Sequence, residues 1–412
     1  MAPAYIEPLR GRLYPLETPR WRSDEGLPLM ITRLAGIGRS DIVAERRSLW
    51  RYAAALPFPI RDPVTMGEGC TPLVERRWDG ARALFKLEWF SPTGSFKDRG
   101  ASVMISALRQ QGVARLLEDS SGNGGAAVAA YAAAGGIDAK ILVPASTSPA
   151  KTVQMRAYGA EVELVPGTRQ ATSDEAVRQA ETIFYASHNW QPFFLQGTKT
   201  LAYELWEDLG FQAPDNIVIP TGAGSNVLGL DIGFDELLRR GEIARLPRLF
   251  AAQPVNCAPI VAGFAAGAAD YLPIEPKPTI AEGTAIAQPV RGREALAAIR
   301  RSGGAAVAVS EDEIISAVRG LASRGLYAEP TSAIAAAALS ALLRQGAILP
   351  EETTVVLLTG GGLKATQRWG ELVGGSAPLP AKRRGEGNAA SPLTAPARRR
   401  KRSWTSARRR SR

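Results

Sequence analysis

Short apolar runs alternate with longer Ala- and Leu-rich segments along most of the chain. The short apolar runs predict buried strands, and the longer segments predict helices. The predicted strands lie at 83–89, 114–119, 139–144, 160–165, 216–220, 249–253, 305–309 and 353–358. The predicted helices lie at 101–108, 126–134, 149–158, 173–182 and 198–208, and another follows residue 226. This alternation predicts an α/β fold with parallel strands and right-handed crossovers.

The two ends of the chain depart from this alternation. Residues 1–60 are mixed in character, and the segment 41–52 predicts a short amphipathic helix. We interpret residues 1–60 as an N-terminal arm that covers a larger domain at 61–375. Beyond it the composition changes to Pro, Gly, Ser, Ala and Arg, which predicts a disordered basic tail at 376–412.

The charge of the chain is concentrated in that tail. The whole chain carries +10, but residues 381–412 carry +11, which leaves −1 for residues 1–380. A nearly neutral body gives no support to specific nucleic-acid binding, and the tail is expected to attract polyanions only weakly. There is no apolar run of about 18 residues and no secretory signal at the start, so we expect a cytoplasmic protein without a membrane span.

One lysine, Lys97, lies between a predicted strand and a predicted helix. A cation at the start of a helix opposes the helix dipole, so we expect a lowered pKa for this lysine. A lysine with a low pKa can condense with a carbonyl group. The spacing leaves open the alternative that Lys97 is a surface lysine beside Asp98.

Three glycine-rich turns follow predicted strands, at 122–125, 222–226 and 360–362. Ligands of open parallel sheets bind at the carboxyl ends of the strands, and N–H groups at helix starts bind anions. With the turn at Lys97, these turns predict an anionic cofactor over the sheet edge. The turn at 222–226 matches only half of a dinucleotide fingerprint and lacks the lysine of a P-loop. For any single turn, the alternative is that glycine only serves helix–strand packing.

The chain offers few other groups for catalysis. A single histidine, His188, without a Gly-x-Ser-x-Gly turn argues against a serine hydrolase. One histidine and two separated cysteines, Cys70 and Cys257, argue against a zinc site, so no metal is expected. We interpret His188 as a polar structural residue, which leaves acid–base chemistry to Lys97, with or without a carboxylate.

Four motifs together resemble those of the fold-type II pyridoxal-phosphate enzymes, the tryptophan synthase beta-like superfamily, and especially threonine synthase and its relatives. The motifs are Ser95-Phe96-Lys97-Asp98-Arg99, Ser120-Ser121-Gly122-Asn123, Gly222–Asn226 and Thr359-Gly360-x-Gly362-Leu363-Lys364. The resemblance implies two open, mainly parallel twisted sheets flanked by helices, with pyridoxal 5′-phosphate in the cleft between a small and a large lobe. It also implies a mobile small lobe at about 98–185, inserted in the large lobe, and a homodimer.

The resemblance further implies the roles of site residues. Lys97 would hold the cofactor as a Schiff base and then act as general base and acid. Asn123 would hydrogen-bond the phenolic oxygen of the cofactor, and Thr359 would face its pyridine nitrogen. The cofactor phosphate would be bound by Gly222, Ala223, Gly224, Ser225 and Asn226. The carboxylate of a small amino-acid substrate would meet Ser120, Ser121 and Gly122.

Two positions expected to face the substrate depart from threonine synthases. Gly124 stands where the resemblance implies a substrate-binding threonine, and Phe194 where it implies an arginine that grips the phosphate of O-phosphohomoserine. Such a charge-assisted contact contributes about 1.5–3 kcal/mol, so its loss is a serious change. The segment 279–285 also resembles dehydratases and ammonia-lyases.

We therefore expect α,β-elimination on a small β-substituted amino acid, which gives ammonia and a 2-oxo acid. The alternatives are threonine synthase acting on O-phosphohomoserine, and a related β-replacement synthase. A catalytically inactive binding protein is a further alternative, against which the intact Lys97, Asn123 and Thr359 argue.

Overall fold

Two mainly parallel sheets dominate the computed structural model, which describes residues 2–374. The predicted tail at 376–412 lies outside the described residues. The strands are β1 (Tyr5–Ile6), β2 (Leu13–Tyr14), β3 (Met30–Ile31), β4 (Leu73–Trp78), β5 (Ala81–Leu87), β6 (Arg115–Glu118), β7 (Asp138–Pro144), β8 (Glu161–Val165), β9 (Phe184–Tyr185), β10 (Asn216–Pro220), β11 (Arg248–Pro254), β12 (Ala305–Val309) and β13 (Thr354–Leu358).

Helices connect and cover these strands. They are α1 (Lys97–Gln110), α2 (Asn123–Gly135), α3 (Pro149–Ala157), α4 (Arg169–Gln179), α5 (Pro192–Thr198), α6 (Thr200–Asp208), α7 (Ser225–Arg239), α8 (Pro259–Ala265), α9 (Gly292–Arg301), α10 (Glu311–Ala322), α11 (Pro330–Arg344) and α12 (Thr366–Gly374). None of the helices between residues 2 and 374 is long and apolar enough to cross a membrane.

The larger sheet has six strands in the order β12-β11-β10-β13-β5-β4. Every pairing in it is parallel except that of β4 with β5. Strands β10 and β13 are buried along their whole length, as expected where helices cover both faces of a sheet. The last strand, β13, lies inside the sheet between β10 and β5.

The smaller sheet has four parallel strands in the order β8-β7-β6-β9. It is built from residues 115–185, and α2 and α4 pack against it. The N-terminal arm adds a separate antiparallel sheet of three short strands in the order β2-β1-β3. Tyr5 of this sheet is fully buried, with its ring centroid 5.5 Å from that of Phe193.

Two helix predictions were wrong in detail. The segment 41–52 is not an amphipathic helix; a 3-10 helix runs instead over Leu49–Ala55. Its start is fixed by tertiary contacts, because Leu49 N–H donates to the Glu68 carbonyl and the Trp50 indole donates to the Glu68 carboxylate. The helix predicted at 198–208 is α6, which begins two residues later at Thr200, and a separate, unpredicted helix, α5, ends just before Lys199.

Helices α1 and α5 cross at unusually close range. A Cβ atom built on Gly197 would lie 2.1 Å from the Arg99 carbonyl oxygen, and one built on Gly100 would lie 2.4 Å from the ring of Phe194. Glycine at both positions is therefore required by the distance between the two helices.

Candidate active site

A cavity of about 810 Å³ lies at the carboxyl ends of strands from both sheets. Lys97 follows β5, the loop at 120–124 follows β6, the loop at 221–226 follows β10, and Thr359 follows β13. The cavity is lined by nearly all of the residues that the sequence predicts: Lys97, Ser120, Ser121, Gly122, Asn123, Gly124, Gly222, Ala223, Gly224, Ser225, Asn226 and Thr359. Phe194 is the exception.

Lys97 is the first residue of α1. The turn before it is joined to the end of β13, because Phe96 N–H donates to the Thr359 carbonyl at 2.9 Å. The carboxylate of Asp98 is buried and accepts hydrogen bonds from the backbone N–H and the hydroxyl of Thr93. Asp98 is thus engaged within the turn, so Lys97 is not a surface lysine paired with it.

A buried ionic network anchors the first turn of α1 to β5, to the residue after β5 and to α6. Arg99 is fully buried; its Nε lies 2.7 Å from Glu88 Oε2 and its Nη1 2.8 Å from Glu204 Oε2. Lys86 Nζ lies 2.7 Å from the other oxygen of Glu204. Removing one member of such a network would leave a buried charge uncompensated, so the network fixes the position of α1.

The electrostatic setting of Lys97 favours its neutral amine. The pKa of Lys97 is lowered to about 8, chiefly by burial; Glu118 and Glu329 act against this lowering, and the charge of Arg169 adds to it. The expected lowering is present, and burial is its largest cause. The Nζ atom lies 4.7 Å from the ring centroid of Phe96 and 5.6 Å from that of Phe194.

The start of α7 forms an anion cradle in the cavity. Gly224 has φ +91°, which places the chain for the helix that begins at Ser225. A Cβ on Gly222 would lie 3.2 Å from the Gly283 carbonyl oxygen, so a side chain at this wall would be crowded. Asn226 is 3% exposed, and neither polar atom of its amide has a hydrogen-bond partner among the described residues. Buried polar atoms are normally paired, so the cradle fits a phosphate group.

Two predicted site residues contact partners that the sequence analysis missed. The Asn123 amide donates to the Glu329 carboxylate at 3.0 Å, and burial raises the pKa of Glu329 to about 7. The Thr359 hydroxyl lies 3.2 Å from the hydroxyl of Ser332. The available signal was the Glu-Pro pair at 329–330, since proline is common at the first position of a helix, here α11.

His188 was also missed as a site residue. It lies three residues beyond β9, lines the cavity, and has a side chain that is only 6% exposed. Its Nδ1 lies 3.1 Å from Glu118 Oε1, and its ring packs where a Cβ of Gly124 would be. Burial lowers the pKa of His188 and raises that of Glu118 to about 7. The signal was its place beside β6, at the same sheet edge as Ser120.

Phe194 is fully buried and is not among the residues that line the cavity. Its ring lies behind the site, with its centroid 5.6 Å from that of His188. Glu282 does line the cavity, where its carboxylate pairs with Lys151 and, at 2.9 Å, with Arg368.

The chain was compared with known proteins. A family model described as "Pyridoxal-phosphate dependent enzyme" matches residues 64–360. Threonine synthase of Methanosarcina acetivorans is 36% identical over 343 residues, which cover 80% of this chain and 84% of the relative. Threonine synthase of Synechocystis is 36% identical over 328 residues, covering 76% and 82%.

Solved structures agree with these relatives in fold. A threonine deaminase from T.th. superposes with a TM-score of 0.60 at 30% identity, over 71% of this chain and 92% of that one. Maize serine racemase superposes with a TM-score of 0.63 at 24% identity, over 74% and 92%, and shows the fold alone. The cavity, the anion cradle and the family model agree, and this chain belongs to the pyridoxal-phosphate-dependent enzyme family.

Proposed function

We propose that this enzyme is a threonine synthase, which converts O-phosphohomoserine and water into threonine and phosphate. From the sequence alone we expected α,β-elimination and gave threonine synthase as an alternative; we now prefer threonine synthase. The threonine synthases at 36% identity support it. The observation in the site that carries it is a second cationic position, Arg169, separate from the cradle at the start of α7.

Arg169 is the first residue of α4 and lines the cavity. Within residues 2–374, no carboxylate lies within 4.0 Å of its guanidinium, whereas Lys151 and Arg368 in the same cavity are paired with Glu282. Its charge acts on Lys97, Glu118 and His188. A guanidinium without a protein partner suits a bidentate contact with a phosphate of the substrate.

Phe194 is the residue that led us to expect a substrate other than O-phosphohomoserine. That residue is buried and lies outside the cavity lining, so its apolar side chain is weak support for excluding this substrate. The loss of a cation at position 194 is compatible with a phosphate bound by Arg169 instead.

Pyridoxal phosphate, when bound, supplies an electron sink that acidifies the hydrogen on the Cα atom of an amino acid. Lys97, whose pKa is about 8, would take that proton and return it. Asn226 and the N–H groups at the start of α7 would hold the cofactor phosphate. The hydroxyl pair of Thr359 and Ser332 would lie at the pyridine nitrogen as a neutral partner. Ser120 and the adjacent loop would bind the substrate carboxylate.

The test is turnover of O-phosphohomoserine by the purified holoenzyme, scored for both phosphate and threonine. Arg169→Gln is expected to raise KM by about 10- to 100-fold, since a hydrogen bond to a charged group contributes about 1.5–3 kcal/mol. The matched control is Arg178→Gln on the same helix, because Arg178 is exposed and pairs with Glu175, and it should leave KM unchanged. Absence of threonine with the wild-type enzyme would refute the proposal.

Elimination remains the second candidate, for two reasons. The T.th. threonine deaminase is 30% identical in structure comparison, and Gly124 offers no hydroxyl to the substrate. The same enzyme should therefore be given serine, threonine, 3-hydroxyaspartate and diaminopropionate, scored for 2-oxo acid and ammonia. Rapid release of 2-oxo acid from one of these, with slow phosphate release from O-phosphohomoserine, would favour elimination.

Two expectations about the whole molecule also stay proposals. The lobe at about 98–185 would close over the substrate. Two hydrogen bonds, of Lys151 with Glu282 and of Lys364 with Gln154, join α3 to the other side of the cavity and would hold the lobe closed. The enzyme would be a homodimer, which light scattering on the purified protein tests directly.

A further inference from the structure

His188 presents one unused ring nitrogen to the cavity. Its side chain is 6% exposed and lines the cavity, and Nδ1 is held by Glu118 at 3.1 Å. In the part of the chain that the structure describes, Nε2 has no hydrogen-bond partner and is not among the atoms sealed from solvent. The edge of the ring is supported by Phe194, at 5.6 Å between centroids. The imidazole is thus fixed on one side and open on the other.

Gly124 makes room for this ring. A Cβ at position 124 would lie 2.7 Å from Cε1 and 2.8 Å from Nδ1 of His188, and 2.9 Å from Ser120 Oγ. No side chain at position 124 is compatible with the ring where it stands. The imidazole therefore occupies the space in which threonine synthases are expected to place a hydroxyl. Histidine at 188 can adopt this position only because residue 124 is glycine.

The Glu118–His188 pair can act as a neutral donor. Glu118 accepts backbone hydrogen bonds from Asp119 and His188, and burial raises the pKa of its carboxyl to about 7. When one proton lies between Glu118 and Nδ1 and another is on Nε2, the pair carries no net charge and Nε2–H points to the cavity. The charged groups that act on the pair are Lys97, Asp119 and Arg169.

We propose that His188 is a specificity-determining residue whose Nε2–H donates to a phosphate oxygen of the substrate, beside Arg169, and that Gly124 admits its ring. The inference rests on the proposed function, because it assigns a contact within the phosphate subsite. Arg169 supplies the positive charge in this subsite, and His188 supplies a hydrogen-bond donor of fixed direction. The direction is fixed because Glu118 binds Nδ1, which leaves Nε2 facing the ligand.

The experiment measures ligand binding to the holoenzyme by the change in visible absorbance. The ligands are L-2-amino-5-phosphonopentanoate, which does not eliminate phosphate, and L-norvaline, which lacks only the phosphonate group. We expect His188→Ala to weaken phosphonate binding about tenfold or more while norvaline binding changes less than twofold. His188→Gln retains an N–H donor and should restore part of the loss. Unchanged cofactor absorbance and melting temperature show that each variant is folded.

A second variant tests the arrangement with Gly124. Gly124→Ala should displace the ring and lower the preference for the phosphonate over norvaline by a similar factor. It should lower that preference little further when His188 is already alanine, and the ratio of the two affinities cancels any effect of the new Cβ on Ser120, which both ligands would share. Full additivity of the two changes would contradict the shared space.

The outcomes separate the two proposals. A wild-type preference for the phosphonate that His188→Ala retains overturns this inference alone, as does equal weakening of both ligands. A wild-type enzyme without any preference for the phosphonate overturns both this inference and the proposed function.

Discussion

Replacing Gly197 by alanine should disturb the site from outside it. The added Cβ would lie 2.1 Å from the Arg99 carbonyl oxygen and 2.7 Å from the Arg99 carbonyl carbon, whereas an ordinary contact begins near 3.4 Å. The contacted atoms belong to the backbone of α1, and the Cβ atom is bonded directly to the backbone of α5. Neither can rotate away, so α1 and α5 must separate by about 1 Å. Overpacking of this kind costs about 1–3 kcal/mol of the free energy of unfolding.

The displacement reaches the site because Lys97 is the first residue of α1. A misplacement of about 1 Å in a reacting group can lower a rate about 100-fold. We therefore expect Gly197→Ala to unfold at lower urea concentration and to lose most of its turnover, while the anion cradle of α7 still retains the cofactor. Urea titration, visible absorbance and steady-state kinetics measure the three quantities.

The matched control is Gly370→Ala. Gly370 lies within α12, and nothing lies within 4 Å of a Cβ built there. Alanine is favoured over glycine in a helix by up to about 1 kcal/mol, so this variant should be as stable as the wild type or slightly more so. If Gly197→Ala matched Gly370→Ala in both stability and turnover, the close crossing of α1 and α5 would have no energetic role and the reasoning would be refuted.

Three further changes probe the cradle, the ionic network and the lysine. Asn226→Ala should weaken binding of pyridoxal phosphate about tenfold in an absorbance titration, and unchanged affinity would mean that this unpaired amide does not meet the phosphate. Glu204→Ala should cost about 3–5 kcal/mol in urea unfolding because it leaves the buried Arg99 short of a carboxylate; a cost below about 1 kcal/mol would contradict the proposed anchoring of α1. The apoenzyme should react with pyridoxal phosphate faster as the pH rises and level off above about pH 8, because only the neutral amine of Lys97 attacks and burial lowers its pKa; a midpoint near the ordinary 10.5 would argue against that burial.

The larger elements could be predicted from the sequence because both faces of the parallel strands are covered. The strand at 216–220 has the predicted bounds, since a strand buried on both faces is a continuous apolar run between turns. The edge strand at 305–309 also has the predicted bounds, although most of its residues are only half-buried. The segment 41–52 failed because its conformation depends on Glu68, a distant residue, rather than on its own periodicity. Helix α5, which ends just before Lys199, was not predicted, and the buried ammonium of Lys199 donates to the Ala55 carbonyl and to Glu236.

The family, the fold type and the cofactor, inferred from the motifs, are confirmed by the comparisons. The motifs sufficed because the carboxyl ends of parallel strands meet at one edge, so turns far apart in sequence line one cavity. Glu329 and the Glu118–His188 pair were not predicted as parts of the site. Their place in it depends on burial and on contacts between distant residues, which the spacing of residues along the chain does not show. Phe194 lies outside the cavity lining, which the sequence could not reveal because alignment to a motif does not say which way a side chain points. The roles assigned to the individual site residues stay predictions.

The place of β13 has a consequence for how the protein is made. Thr354 pairs with Ala83, 271 positions earlier in the chain, and on its other side β13 pairs with β10. At about 5–20 residues per second of synthesis, the apolar edge of β5 would wait on the order of 15–50 s for its partner. Until β13 is made, the edges of β5 and, once synthesised, of β10 that it will cover stay unpaired, and such edges can pair with other chains. Thr359, which lines the cavity, is also synthesised late, so the cavity can be completed only when nearly all of residues 2–374 have been made.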